Sequence, residues 1–163
     1  MGKDIRRFTR NRFTWDPTVS RFEQRVLEAC HIRGLHPFTK VPMNLTLVNE
    51  QERFIAIPDQ LYIWFSGMSI PPERINWFDD PMPVNRALVV ELRGPPHRKA
   101  ARYLHDCEEA RRLGMIPQIE LLPYEFENGT KKEFQEAMKL IAYRIKVLGD
   151  QHGPTPCVSL VGD

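Results

Sequence analysis

Residues 86–94 read Arg86-Ala87-Leu88-Val89-Val90-Glu91-Leu92-Arg93-Gly94. Ala87 to Val90 is an unbroken apolar run, the pattern of a strand covered on both faces. Gly94-Pro95-Pro96 ends it. Glu91 then needs an explanation, because burying an unpaired carboxylate costs several kcal/mol or more, by about that order. A second acid, Asp59, follows a second apolar run in Phe54-Ile55-Ala56-Ile57-Pro58-Asp59-Gln60. A divalent cation held between the two would account for both.

Outward from this strand, residues 98–113 carry Ala100, Leu104, Cys107 and Ala110 at helical spacing, and Gly114 closes the helix. Residues 115–122 read as another buried strand. A strand–helix–strand unit implies a parallel pair with a right-handed crossover. Upstream, 38–48 has β character, with Leu45 and Leu47 alternating with Asn44 and Thr46. Asn49-Glu50-Gln51-Glu52 reads as a hairpin turn into 53–57, a strand that reaches Asp59 and resumes over 61–65.

The first helix is expected over 21–33. Ser20 caps it, Glu23 stands three residues on, and Phe22, Val26, Leu27, Ala29 and Cys30 form its apolar face. The last helix starts at Thr130 with Glu133 as a capping-box partner and ends at Gly149. Its stripe of Phe134, Met138, Ile141, Ile145 and Leu148 is either core or a dimer seam. The order α-β-β-β-α-β-α predicts an α/β fold, a mixed central sheet flanked by helices.

The 163 residues suit one domain, and 42% hydrophobic content supports a core. The expected organisation is a basic arm over 1–19, a domain over 20–149 and a poorly ordered tail over 150–163. The domain contains an insertion at 66–85, carrying four prolines, Trp77 and Phe78. Net charge is only +2, but Arg6, Arg7, Arg10, Arg12 and Arg21 crowd the start of the chain, with Phe8, Phe13 and Trp15 among them. Such a segment either binds a polyanion, with charges on phosphates and rings on bases, or is a solvated arm. Cys30, Cys107 and Cys157 form no CxxC pair, which argues against a disulfide framework or a zinc site. Cys30 and Cys107 are expected in the core, and the compartment reducing and cytoplasmic. No signal-peptide core or membrane-length apolar run is present in the sequence.

Pro58-Asp59 followed by Glu91-Leu92-Arg93, with Glu23 on the first helix, resembles the signature of the PD-(D/E)XK nuclease superfamily over roughly residues 20–122. The resemblance implies a restriction-endonuclease-like α-β-β-β-α-β core plus a C-terminal helix. It implies hydrolysis of DNA phosphodiesters with Mg²⁺, or Mn²⁺ as a substitute. Asp59, Glu91 and the Leu92 carbonyl would be metal ligands, with Glu23 acting through water or on a second ion. Arg93 stands where the family has lysine. It stays protonated, so it can orient water or stabilise charge but not act as a base. His97 and Lys99 are auxiliary candidates; Gly94–His97 is similar to a Gly-x-x-His pattern of very-short-patch repair endonucleases. Arg111–Ile119 looks like the segment joining the second helix to the fourth strand in archaeal-type Holliday junction resolvases, which implies a homodimer acting on branched DNA. Each acid also has a plainer reading: Glu23 as a cap partner of Ser20, Asp59 as a turn residue, Glu91 as the ion-pair partner of Arg86 or Arg93.

Overall fold

The computed structural model describes residues 20–65 and 84–153. Helix α1 (Arg21–Ile32) begins where Ser20 Oγ accepts the Glu23 amide at 3.3 Å. It buries Phe22, Val26 and Cys30 at four-residue spacing. Beyond it, Arg33 donates back to the Ala29 and Cys30 carbonyls, and Gly34 turns the chain with φ +79.

The strand expected over 38–48 is not continuous. Only β1 (Met43–Asn44) forms, paired antiparallel with β2 (Ile55–Ala56), and Phe38 makes a separate bridge to Leu61. Pro37 and Pro42 lack the N–H a ladder needs, and Lys40 has φ 59. The turn between β1 and β2 is held by the Leu47 amide donating to Glu50 Oε1 at 2.7 Å. The strand expected over 53–57 shortens to β2 in the same way, and a separate strand starts after Asp59.

The main sheet contains β3 (Gln60–Phe65), β4 (Val84–Arg93) and β5 (Ile119–Glu125), with β4 in the middle, antiparallel to β3 and parallel to β5. Val84 and Asn85, assigned by sequence to the insertion, belong to β4. Side chains alternate between two cores. Ala87 and Val89 pack with Leu61, Ile63, Phe38, Met43 and Leu113 on one face. Leu88, Val90 and Leu92 pack on the other with Tyr62, Trp64 and the apolar faces of α1 and the last helix. Each fully buried residue of this kind contributes about 1.5–3 kcal/mol. Glu91 and Arg93 share the parity of Ala87 and Val89, so they point to the first face.

Pro95–Arg98 forms a short 3₁₀ turn, which delays α2 (Ala100–Leu113) by two residues from its expected start. The orientation of α2 is the largest departure from the sequence reading. Asp106, Glu109, Arg112 and Leu113 face inward, whereas Leu104 is 66% exposed and Cys107, expected in the core, is also exposed. Arg112 shows how this polar face is satisfied. It bonds Glu50 at 2.5 and 2.7 Å and the Leu45 carbonyl at 2.9 Å, and its guanidinium lies 4.4 Å from the Phe54 ring centroid.

Residues 115–118 turn rather than extend, with Met115 and Ile116 amides returning to Arg112 and Leu113. β5 therefore runs later than the expected 115–122. It accommodates Pro123 because an edge strand has one side free of ladder bonds.

Helix α3 (Lys131–His152) carries the complete Thr130–Glu133 capping box, and Met138, Ile141, Ile145 and Leu148 join the second core. The stripe is thus covered by this chain's own sheet. Gly149 does not stop the helix: it is buried, and the chain continues to His152, where Trp64 Nε1 donates to the Gly153 carbonyl at 3.0 Å. A helical glycine costs about 1 kcal/mol, which this packing offsets. Arg144 clamps Glu120 through two bonds of 2.6 Å, fastening α3 to β5. The chain is a mixed α/β fold, with three helices and a mixed three-stranded sheet among the described residues. No helix among them is long and apolar enough to cross a membrane. The arm over 1–19, most of the insertion (66–83) and the tail over 154–163 lie outside the described residues.

Candidate functional site

The register Gln60↔Val90 puts Asp59 one step further along, across from Glu91. Asp59 is therefore not at the end of a strand, as the sequence suggested, but immediately before β3. Its side chain does the work of a ladder acceptor: Leu92 N–H donates to Asp59 Oδ2 at 2.7 Å. Leu92 enters the site through this amide, while its side chain lies in the second core. The same end of the sheet is approached by α2, which brings Glu109 within hydrogen-bonding reach of Glu91. Glu91 and Glu109 are 6% and 4% exposed.

Glu23 comes in from the first turn of α1 and feels the charge of Asp59. Ser20 Oγ accepts the Glu23 backbone amide at 3.3 Å; the reciprocal pair of a full capping box forms at Thr130 and Glu133 and not here. Four carboxylates from four elements, Glu23, Asp59, Glu91 and Glu109, thus converge at one end of the sheet.

Their protonation reflects the crowding. Burial, and then the charge of Asp59, push Glu23 up to about 7, against the opposing influence of Ser20 and Arg102. Burial raises Asp59 to about 6, even though the Leu92 amide and His97 favour its charged form. Burial, followed by Asp59 and Glu109, lifts Glu91 far above the carboxylate range, with Arg93 only partly opposing. Burial first, and the neighbouring acids second, therefore favour the protonated forms, most strongly at Glu91. Carboxylate oxygens are the ligand type that Mg²⁺ and Mn²⁺ prefer.

Arg93 follows Glu91 on the same face. Its Nε is 3.7 Å from Asp106 Oδ2, and its buried Nε and Nη2 have no hydrogen-bond acceptor among the described residues. His97 Nδ1 contacts Asp106 Oδ2 at 2.8 Å, and its Nε2 is 3.1 Å from Arg102 Nη2. Lys99 is exposed at the start of α2, and Arg21 is exposed at the start of α1. Neither takes part in the contacts that join the acids. Arg6, Arg7, Arg10 and Arg12 lie outside the described residues.

Sequence reasoning missed Asp106 and Glu109. The available signal was their spacing, since Asp106, Glu109 and Arg112 recur every third residue on one helix face. The apolar residues beside that stripe, Ala100, Leu104, Cys107 and Ala110, give the stronger hydrophobic signal. Asp106 and Glu109 also group with His105, their ligand atoms within 4.8 Å of one another. His105 itself is exposed, and its ring stacks on Phe54 with centroids 4.8 Å apart.

Next to the acids, a cleft of about 490 Å³ opens between the end of β4 and α2. Gly94, Tyr103, Cys107 and Ala110 form its apolar wall, and Arg93, His97, Arg98, Asp106 and Glu125 supply its polar groups. No protein-family model matches the chain, and searches of curated proteins and of solved structures return no significant match.

Proposed function

We propose that the chain is a divalent-metal-dependent DNA endonuclease of the PD-(D/E)XK type, acting on branched DNA in the manner of a Holliday junction resolvase and working as a homodimer. The observation that carries the reading is the convergence of Glu23, Asp59, Glu91 and Glu109. A mixed sheet with an antiparallel and a parallel neighbour on its central strand supports a restriction-endonuclease-like core. In this reading Asp59, Glu91 and the Leu92 carbonyl hold Mg²⁺ or Mn²⁺, and Glu109 joins them. A bound ion of this kind stabilises charge on phosphate oxygens and makes water a better nucleophile. Glu23 holds a water at the rim, and Arg93 offers fixed positive charge to the phosphate. The basic arm over 1–19, with Arg6, Arg7, Arg10 and Arg12, and Arg21 beside it, grips the DNA backbone.

The test is nicking of four-way junctions and duplexes in Mg²⁺ or Mn²⁺. The wild-type protein cuts the junction, and Asp59→Ala and Glu91→Ala each lose about two orders of magnitude or more while retaining junction binding. A wild-type protein that leaves every substrate intact with both metals overturns the reading.

One observation favours a second reading, a nuclease fold that binds DNA or a protein partner without cutting. The lysine of the family pattern is replaced by Arg93, which sits beside Asp106 and cannot take a proton from water. Calorimetry with Mn²⁺ separates the two: the first reading requires heat that disappears in Asp59→Ala and Glu91→Ala, whereas the second predicts none in the wild type.

A further inference from the structure

The outward apolar face of α2 needs an explanation that its own core does not give. Tyr103 is 57% exposed and Leu104 66%. Tyr103 and Cys107 are also walls of the 490 Å³ cleft that begins at Arg93. That volume lies within the range of small-ligand sites, about 300–1,000 Å³, and an apolar wall with a few polar groups is their usual lining. Arg93 stands two residues beyond Glu91 on the same face of β4, about 7 Å along the strand. His97 and Asp106 line the cleft and connect it to the acids, since His97 bonds Asp106 and influences Asp59.

The cleft has a mixed charge. Arg93, Arg98 and His97 face Asp106 and Glu125, and Arg98 already pairs with Glu127 at 2.7 Å. A bare phosphate does not explain that combination. A nucleobase does: one face stacks on an exposed ring, edge amines meet carboxylates, and edge carbonyls or ring nitrogens meet guanidinium groups. Lys99 and Arg102, both exposed on the adjacent first turn of α2, are placed for the flanking backbone.

We infer that the cleft between the end of β4 and α2 holds one unstacked nucleotide of a single-stranded DNA segment, its base on Tyr103 and its backbone leading toward Glu91. This rests on the nuclease reading for the identity of the polymer, but not on catalysis. The substrate class is thereby narrowed to DNA with an unpaired nucleotide beside the scissile bond, as at a branch or flap. Tyr103, Cys107 and Ala110 of α2 become a substrate wall rather than a failed core face.

The test uses the whole 163-residue chain in chelator, so that no cleavage occurs, with a fluorescent single strand, the same strand in a duplex, and the strand bearing one abasic position. Anisotropy is expected to show the single strand bound more tightly than the duplex. Tyr103→Ala is expected to weaken it by roughly 5- to 150-fold, the range of one base–aromatic stack. A second measurement follows the thiol of Cys107 in a Cys157→Ser protein, since Cys107 is exposed and Cys30 buried. The single strand is expected to slow its modification by an uncharged thiol reagent, and the Tyr103→Ala protein to lose that protection. Equal affinity for single strand and duplex, an unchanged Tyr103→Ala, or an unprotected Cys107 each overturns the proposal. Binding and protection in a protein that never cuts would sustain the cleft and overturn the catalytic reading. Junction cleavage that is unaltered in Tyr103→Ala, in kcat and KM alike, would do the reverse.

Discussion

Replacing Glu91 by glutamine is expected to stabilise the metal-free protein at pH 8 while removing a proposed ligand. In the folded chain the Glu91 carboxyl is held far above its ordinary 4.5, by burial first and then by Asp59 and Glu109. Its proton is therefore retained in the fold and released on unfolding. The stability it lends is full below pH 4.5 and is lost as pH rises toward the folded value. The slope is about 1.4 kcal/mol per pH unit. At pH 8 the accumulated loss is on the order of 5 kcal/mol, which glutamine avoids because it carries no charge. At about 2–4 °C per kcal/mol for a chain of this size, the melting temperature of Glu91→Gln should exceed that of the wild type by roughly 10–20 °C. The gain should vanish near pH 4.5. Asp59, raised to about 6, and Glu23, raised to about 7, add losses of the same sign over pH 4–7 in the wild type. Scanning calorimetry in chelator from pH 4.5 to 8 measures all of this. Adding Mn²⁺ at about a hundred times its Kd should return about 2.7 kcal/mol to the wild type and much less to the variant. If Glu91→Gln is neutral or less stable than the wild type at pH 8 in chelator, the fold already satisfies a charged Glu91, and the argument for a cation among these acids fails.

Three further expectations concern the scaffold. A Cβ on Gly94 would lie 2.8 Å from Phe126 Cζ, and that ring is stacked on Phe22 with centroids 4.1 Å apart. Gly94→Ala should therefore cost about 1–3 kcal/mol in urea unfolding, and a neutral result would mean that the ring moves freely. Arg112→Met removes the donor to the Leu45 carbonyl and the guanidinium partner of Glu50, which retains the Leu47 amide, at a cost of about 2–3 kcal/mol in the same assay. Lysine should not restore it, because the bonds to Glu50 and Leu45 use a forked guanidinium. Thr130→Ala should remove about 1 kcal/mol by opening the capping box of α3, while leaving the midpoint of any metal-binding curve unchanged.

Elements whose burial follows their own pattern were legible in the sequence. Ala87–Val90 is apolar throughout and lies in the central strand. Met138, Ile141, Ile145 and Leu148 recur at helical spacing and meet the sheet. Ser20 and Thr130 mark helix starts by a local hydrogen bond that needs no distant partner. The sheet edges were harder. Strands β1, β2 and β5 are set by proline positions and by register with a neighbour, neither of which fixes ends to the residue. Gly149 suggests a stop because its local preference favours one, but the helix runs on to His152, where Trp64 bonds the Gly153 carbonyl.

The candidate site divides along the same line. Asp59 and Glu91 stood out because each is a charge after an apolar run, a local conflict visible in one dimension. Glu109 and Asp106 were hidden because hydrophobic periodicity identifies the inward face of a helix only when that face meets an apolar surface. Near its middle, α2 instead meets the end of β4 that carries Glu91 and Arg93, so its polar stripe turns inward and Tyr103 and Leu104 are left outside. By itself, then, the sequence determined the helices α1 and α3 and the buried central strand, and it named three of the four acids, Glu23, Asp59 and Glu91. Only the tertiary structure decided the rotation of α2, because the partners that set it lie on a different element, brought alongside by long-range pairing.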